Sequence, residues 1–433
     1  MTAFVRSFLR VNKMATDVDV QFFSHLNGLV LSNNWGDMIR LLDKALVTGL
    51  DFTQITAASI DEQGDVHITL YAAHNAMLFQ VVELSGFTPA SLNQKYRIKG
   101  VPNTTQLILK PALDIAERSI TAIGTGKLAS LGYDIIFRDT NDVKRVYRAK
   151  NPTMQHPFIR VDETISDGTN SYTPTYAKYA MVGLIENMTH IDDYEDTSKL
   201  QLPLDTTDYK KNWKIAGTES SVVRGWSRWY WAMSDLLVNN PRDMNSPAAG
   251  NRSFTLSGSK DSFYLLNSVD NNLQFKDLKG CGLYHSSMDT SVIPNWFLMS
   301  VLVESDASIT ARGSETGSPF GLGETRSRFI APNYLPNIRL SNSVLATPVV
   351  PDFESGGNNK TLFTASNVPA LEIPFYDTNR FLRGTLPVVC YAGKKASSNT
   401  FTTPILADAS MYLWESVTSN YGGGIYFYLG ELE

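Results

Sequence analysis

The spacing of hydrophobic and polar positions changes along the chain, from a helical period near the start to a strand period beyond it. Apolar residues first recur at steps of three and four, a spacing that lines one face of a helix, at Trp35, Met38, Leu41, Leu42, Ala45 and Leu46. This pattern predicts a helix at about 34–48, with Asn34 as its N-cap and Gly49 at its end. A second short helix is expected within 19–31.

From residue 57 to residue 110 the period is two. Val66, Ile68 and Leu70 alternate with polar residues, and three further windows of the same kind follow before residue 111. Gly, Pro and Asn separate the windows at roughly ten-residue spacing, which is typical of a small antiparallel sandwich. We therefore expect a β-sandwich module at 51–112.

A second β-rich domain is expected at 113–305, and it opens with the most regular stretch of the chain. Residues 133–138 and 143–148 alternate around a polar turn at 139–142, and a third strand follows the break at Asn151 and Pro152. Alternation of this kind places one face of a meander on a core and leaves the other in water. Residues 254–256 and 263–266 flank a Ser-Gly-Ser turn and predict a hairpin.

The stretch 131–163 also resembles a segment of virion proteins of tailed bacteriophages. The resemblance rests on a glycine-aromatic start at Gly132 and Tyr133, on the letters VYR at 146–148 and on RVDE at 160–163. It implies a structural subunit of the tail tip or baseplate, in a virion assembled in the cytoplasm of a bacterial host. The implied partners are other tail and baseplate proteins and further copies of this chain.

The last part of the sequence, 306–433, is rich in Pro and Gly. Prolines are dense between 332 and 374, which disfavours interior strands and favours an extended region that lies over a neighbour. The sequence predicts strands only near the end, at 411–414 and 425–429. Taken whole, it predicts a mainly β fold of several small antiparallel sandwich-like modules with a short helical element at 1–50.

Composition narrows the classes of partner. The chain has 433 residues, of which 43% are hydrophobic and 19% charged, and its net charge is −5. No basic stripe indicates a nucleic-acid partner, and no window of about 18 apolar residues indicates a membrane partner. The two cysteines, Cys281 and Cys390, are too few for a disulfide framework or a Cys-based metal site, and we expect buried thiols.

No pattern in the sequence predicts a catalytic or metal site. The histidines are not at metal-ligand spacing, and an acidic run at 190–196 is read either as a solvated turn or as a calcium loop. No nucleophile elbow is present. We therefore expect a chain that is not an enzyme and needs no cofactor.

Two groups of apolar residues are candidate interface positions. The helix offers Trp35, Met38, Leu42 and Leu46, an apolar face that needs a partner, either the adjacent β-domain or a neighbouring subunit. The second group is an aromatic cluster at Trp226, Trp229 and Trp231. It can either pack in the core of the second domain or bind sugars, and the latter would make the chain a receptor- or glycan-binding module of a tail fibre.

Overall fold

The fold of this chain is mainly β, with several antiparallel sheets and one short α-helix, as the sequence predicts. The computed structural model describes residues 16–164, 177–216, 223–233, 246–269, 276–302, 329–335, 337–349, 370–391, 404–416 and 424–432. None of the helices in these ranges combines the length and the apolar character needed to cross a bilayer.

The predicted helix at 34–48 is confirmed. Helix α1 spans Asp37–Leu42 and continues as a π-helical turn over Asp43–Thr48. Gly36, at a φ of 85°, occupies the N-cap position instead of Asn34. The backbone N–H of Asn34 donates to the Asp37 carboxylate at 3.2 Å, which draws Asn34 into the turn before the helix. Gly49 ends the helix as expected, and its N–H donates to the carbonyl of Lys44 at 2.8 Å.

The second helix expected within 19–31 is wrong. Strand β1 spans Gln21–Ser24 and pairs antiparallel with a distant strand, and a 3₁₀ turn follows at His25–Asn27. Phe22 and Phe23 are both fully buried but belong to different core clusters. In a strand, the side chains of successive residues point to opposite faces. The periodicity of a short apolar run cannot distinguish a strand from a helix.

The N-terminal sheet contains the four strands predicted at 57–110. Its order is β2-β8-β5-β6-β7-β4-β3, and every pair is antiparallel. Its strands are β2 Leu50–Asp51, β3 Ile55–Ile60, β4 Val66–Leu70, β5 Val81–Ser85, β6 Lys95–Asn103, β7 Gln106–Pro111 and β8 Thr125–Leu128. A 3₁₀ turn at Ala90–Leu92 precedes β6.

The two ends of the N-terminal sheet meet at the short link between β2 and β3. The N–H of Phe52 donates to the carbonyl of Gly126 in β8 at 2.9 Å, and the N–H of Tyr71 donates to the carbonyl of Gln54 at 2.8 Å. The sheet therefore curls around an apolar interior. It also reaches beyond the predicted boundary at 112, because β8 lies between β2 and β5.

The central sheet contains the meander predicted at 131–163, which is confirmed. Its order is β22-β16-β12-β11-β10-β9, with β13 paired to β12. Its strands are β9 Tyr133–Arg138, β10 Lys144–Ala149, β11 Phe158–Asp162, β12 Lys178–Ile185, β13 Gln201–Leu202, β16 Ser227–Ala232 and β22 Val301–Leu302. Strands β14 Ile215–Ala216 and β15 Val223–Arg224 pair separately, and a 3₁₀ turn spans Asp193–Glu195.

The large sheet takes β1 and most of the second half of the described chain. Its order is β1-β17-β18-β19-β21-β23-β24-β25-β26-β29-β28-β27, with β20 paired to β26. The predicted hairpin is confirmed as β17 and β18. Besides β1, the strands of this sheet are β17 Phe254–Gly258, β18 Ser262–Ser268, β19 Lys276–Leu283, β20 His285–Ser286, β21 Trp296–Met299, β23 Phe329–Ala331, β24 Val344–Pro348, β25 Leu371–Asp377, β26 Leu382–Tyr391, β27 Ile405–Ala407, β28 Ser410–Ser416 and β29 Gly424–Glu431.

The expectation that the dense prolines disfavour interior strands in this region is wrong. Pro374 lies inside β25, and Pro387 lies inside β26. The pairing register shifts between Glu372 and Ile373, where β26 carries the extra residues that include Pro387. A bulge leaves a residue outside the ladder, so a missing N–H is tolerated there. The two longest gaps in this region, 306–328 and 350–369, lie outside the described residues. Where 306–433 is described, it adds strands to the large sheet.

Candidate functional site

A cavity of about 790 Å³ lies where the three main sheets meet. One wall is the loop after β10, at 150–156, and a second is the turn between β17 and β18, at 259–262. Leu283, Tyr284 and His285 form a third, while Lys95 of β6 enters from the N-terminal sheet. The volume falls within the range of small-molecule sites. This cavity is the candidate functional site.

His156 joins two of the walls. Its ring is buried, and Nε2 lies 2.8 Å from Oδ1 of Asp261. The backbone N–H of Thr153 donates to Nδ1 at 2.9 Å. Because a backbone N–H can only donate, Nδ1 accepts and the proton of the neutral ring is on Nε2, facing Asp261. The hydrogen bond from His156 holds the pKa of Asp261 below its usual range.

Thr153, His156 and Asp261 stand in the order of a nucleophile, a base and an orienting carboxylate. The hydroxyl of Thr153 is 2.8 Å from Nδ1 of His156. In a catalytic arrangement that nitrogen takes the proton of the hydroxyl. Here its lone pair already accepts the Thr153 backbone N–H. The chain of contacts therefore fixes the loop in place and does not activate the hydroxyl.

Gln155 holds the same loop from its other side. Its side-chain amide donates to the carbonyl of Thr290 at 2.9 Å, and the indole N–H of Trp296 donates to its backbone carbonyl at 2.6 Å. Met154, which directly precedes Gln155, is almost fully exposed. The loop is thus a rigid wall with an apolar tip.

The charges that line the cavity are mixed, with ammonium groups in excess. Lys95, Lys150 and Lys260 line it together with Asp19 and Asp261. Within the described part of the chain, none of the three lysines forms an ion pair. The cavity is therefore locally basic in a chain that is acidic overall.

The predicted interface on the helix is internal to the chain. Met38, Leu42 and Leu46 have no exposed side-chain surface. Trp35 is partly buried and packs edge-on against Tyr179 of β12 and Trp231 of β16, with ring centroids 6.3 and 6.0 Å apart. The prediction of an intersubunit surface on this face is wrong, because Met38, Leu42 and Leu46 are already buried in the core of the chain.

The aromatic cluster is core as well. Trp229 and Trp231 are fully buried on β16, and the ring of Trp229 packs against Phe263 of β18 at 5.9 Å. Trp226 is half-buried beneath the ammonium of Lys211, which lies 4.2 Å from its ring centroid. Of the two alternatives, core packing is correct, and Trp229 and Trp231 present no face on which a sugar could stack.

Part of the resemblance rests on residues 160–163, and these residues make contacts that hold the fold together. The carboxylate of Glu163 accepts the N–H of Gly36 and, at 2.8 Å, that of Ile39, so it caps helix α1 from the central sheet. Arg160 pairs with Asp162 at 3.0 Å and lies over the ring of Trp213 at 4.4 Å. These contacts tie the helix and a loop to the central sheet.

The central carboxylate of the acidic run at 190–196, Asp193, is engaged by protein donors. One oxygen of Asp193 accepts from the backbone of Thr189 and His190 and from the ammonium of Lys199. These donors hold the pKa of Asp193 well below its usual range against the opposing effect of burial. Within the described ranges, no group of three or more His, Cys, Asp and Glu side chains could hold a metal ion. The turn is the better of the two interpretations.

Sequence reasoning missed the cavity. Thr153 and His156 are three residues apart after an Asn-Pro break, which is a local turn signal. Asp261 is 105 residues from His156, and no local pattern connects the two. A comparison with models of known protein families finds no match, and a comparison with curated proteins finds no significant similarity.

Proposed function

We propose that this chain is a structural subunit of a tailed-phage virion, in the tail tip or baseplate, which oligomerises and joins neighbouring tail proteins. Its place is the virion, after assembly in the cytoplasm of the bacterial host. The proposal assigns it no catalytic step and no nucleic-acid or membrane partner. It draws on the resemblance at 131–163 and on the mainly β fold.

An apolar outer surface on the large sheet carries this proposal. Leu345 of β24, Tyr376 of β25 and Leu382 of β26 are between 37% and 57% exposed. Tyr376 stands opposite both Thr347 and Leu382, and Leu345 is two residues before Thr347, so these side chains share one face. The other face carries Ala346, Ile373 and Phe375, which are buried.

A sheet with one solvated face normally presents polar residues to water. We call Leu345, Tyr376, Leu382 and the neighbouring Phe381, which is also exposed, the outer apolar surface. Clustered apolar side chains on a solvent face mark contact sites for other proteins. A stable contact buries at least about 1,000 Å² in total, so this surface would be the centre of a larger interface.

A triple variant tests the proposal. Leu345→Thr, Tyr376→Thr and Leu382→Thr remove the apolar surface and keep residues suited to strands. The matched control places threonine at three exposed apolar positions elsewhere, Leu26, Leu113 and Ile123. We expect both proteins to fold. The control should be incorporated into particles, and the triple variant should be absent from the particles that form in its presence. Normal incorporation of the triple variant would overturn the proposal.

A further inference from the structure

We infer that the cavity between the three sheets binds a small polyhydroxylated anion, a sugar that carries a carboxylate or a phosphate. This inference does not depend on the proposed assembly role. It rests on the charge, the free polar groups and the rigid walls of the cavity.

The charge of the cavity differs from that of the chain. Lys95, Lys150 and Lys260 reach it from three separate segments, and none forms an ion pair within the described residues. The chain as a whole carries a net charge of −5. Of the two carboxylates in the lining, Asp261 is engaged by His156. Lys260 also acts through its charge on Asp261. Three lysines that line one cavity without an ion pair favour an anion.

Neutral polar groups in the same lining suit hydroxyls. Asn151 and Thr290 line the cavity, and neither makes a side-chain hydrogen bond within the described part of the chain. An amide and a hydroxyl both donate and accept, as sugar hydroxyls do. Sites for small ligands place a few such groups around a larger apolar lining, and Leu131, Leu283 and Val388 supply apolar surface here.

The walls are held in position before any ligand arrives. The loop at 150–156 is fixed to the β17–β18 turn through His156 and Asp261. Gln155 fixes it to Thr290 and to Trp296, the first residue of β21. A rigid site loses little conformational entropy on binding. Lys150 stands at the start of this loop, and Lys260 stands beside Asp261 in the turn, so both ammonium groups extend from fixed backbone.

Isothermal titration calorimetry of the purified full chain with small ligands tests the inference. The probes are D-glucuronate, D-glucose 6-phosphate, D-glucose and inorganic phosphate. We expect saturable binding of the two acidic sugars, with D-glucose and inorganic phosphate each at least about tenfold weaker. D-glucose that binds as tightly as the acidic sugars would overturn the need for an anion. Inorganic phosphate that binds as tightly would overturn the need for a sugar.

Lysine variants locate the binding. Lys150→Ala and Lys260→Ala should each weaken both acidic sugars by about three- to tenfold, since exposed charge pairs contribute modestly. Lys44→Ala, an exposed lysine on the π-helical turn, is the control and should bind like the wild type. Equal unfolding midpoints in urea would establish that all three variants fold.

The absence of saturable binding by either acidic sugar would overturn the inference, as would equal weakening by Lys44→Ala. The cavity variants should enter particles normally, and the triple variant of the outer apolar surface should still bind the acidic sugars. Failure of the proposed function is therefore distinguishable from failure of this inference.

Discussion

Two influences shift the pKa of the Glu163 carboxylate in opposite directions. Burial beside helix α1 raises its pKa, and the N–H groups of Ile39 and Gly36 with the charge of Arg40 oppose that rise, while Asp37 adds to it. The outcome is a pKa of about 7 instead of 4.5. The folded chain thus holds this proton more tightly than the unfolded chain does.

Stability should therefore fall as pH rises from about 4.5 through 7, because only the unfolded chain releases the proton freely over that window. The loss amounts to roughly 3 kcal/mol by pH 8. Glu163→Gln resembles the protonated acid and should remove this dependence. Urea unfolding at pH 5 and pH 8 measures it, with the exposed Glu62→Gln as the control. Parallel pH profiles for wild type and Glu163→Gln would contradict the assignment.

At the scale of elements, what the sequence could predict depends on whether the signal is local. Helix α1, the strands of 57–110 and the three strands of 131–163 carry their period within a few residues, and all were predictable. Strand β1 was not, because its identity depends on pairing with β17 and not on its own short pattern. The burial of Trp229 was likewise not predictable, since Phe263 on another sheet covers it.

The cavity shows the same limit. Its lining residues come from separate segments, and each alone reads as an ordinary loop or strand end. Lys95 opens a strand and Lys260 lies in a turn, and neither position carries a signal in the sequence. Only the meeting of three sheets brings these residues to one cavity.

Strand β8 sets the extent of the N-terminal sheet. It lies between β2 and β5, and Leu128 on it is buried. The N–H groups of Leu131 and Gly132 also donate to the carbonyls of Ala45 and Leu46 in the helical segment, at 2.9 and 3.2 Å. A module that ends at residue 112 lacks all of these contacts.

Two fragments test this extent. We expect residues 30–132 to unfold cooperatively in urea and residues 30–112 to show no cooperative transition, because the second fragment exposes the edge of β5. Circular dichroism and tryptophan fluorescence measure both. A cooperative transition in the shorter fragment would support the boundary at 112 that the sequence predicts.

At the scale of the whole molecule, one buried cation joins parts that are distant in sequence. Arg97 of β6 is fully buried and donates to the carbonyls of Asp17, Val20, Phe79 and Leu429 at 2.6–3.0 Å. Burial lowers its pKa to about 9, while Asp17 and Asp19 act in the opposite sense. It thereby connects the N-terminal sheet with β29 of the large sheet and with the segment before β1.

Arg97→Met should lower the free energy of unfolding by at least about 3 kcal/mol, because four buried carbonyls lose their donor. Arg97→Lys should lose less, since an ammonium retains up to three donors. Urea unfolding followed by circular dichroism measures both. A loss below about 1 kcal/mol in Arg97→Met would mean that water or other donors replace the guanidinium.

The pairing of β1 with β17 also has a consequence during synthesis. His25 and Phe254, which are in contact, are 229 residues apart. Ribosomes add about 5–20 residues per second, so β1 leaves the ribosome on the order of ten seconds or more before its partner exists. Through that interval Phe22 and Phe23 have no strand to cover them. Nascent chains should therefore need a chaperone on this segment, and messages truncated before codon 258 should yield aggregated product.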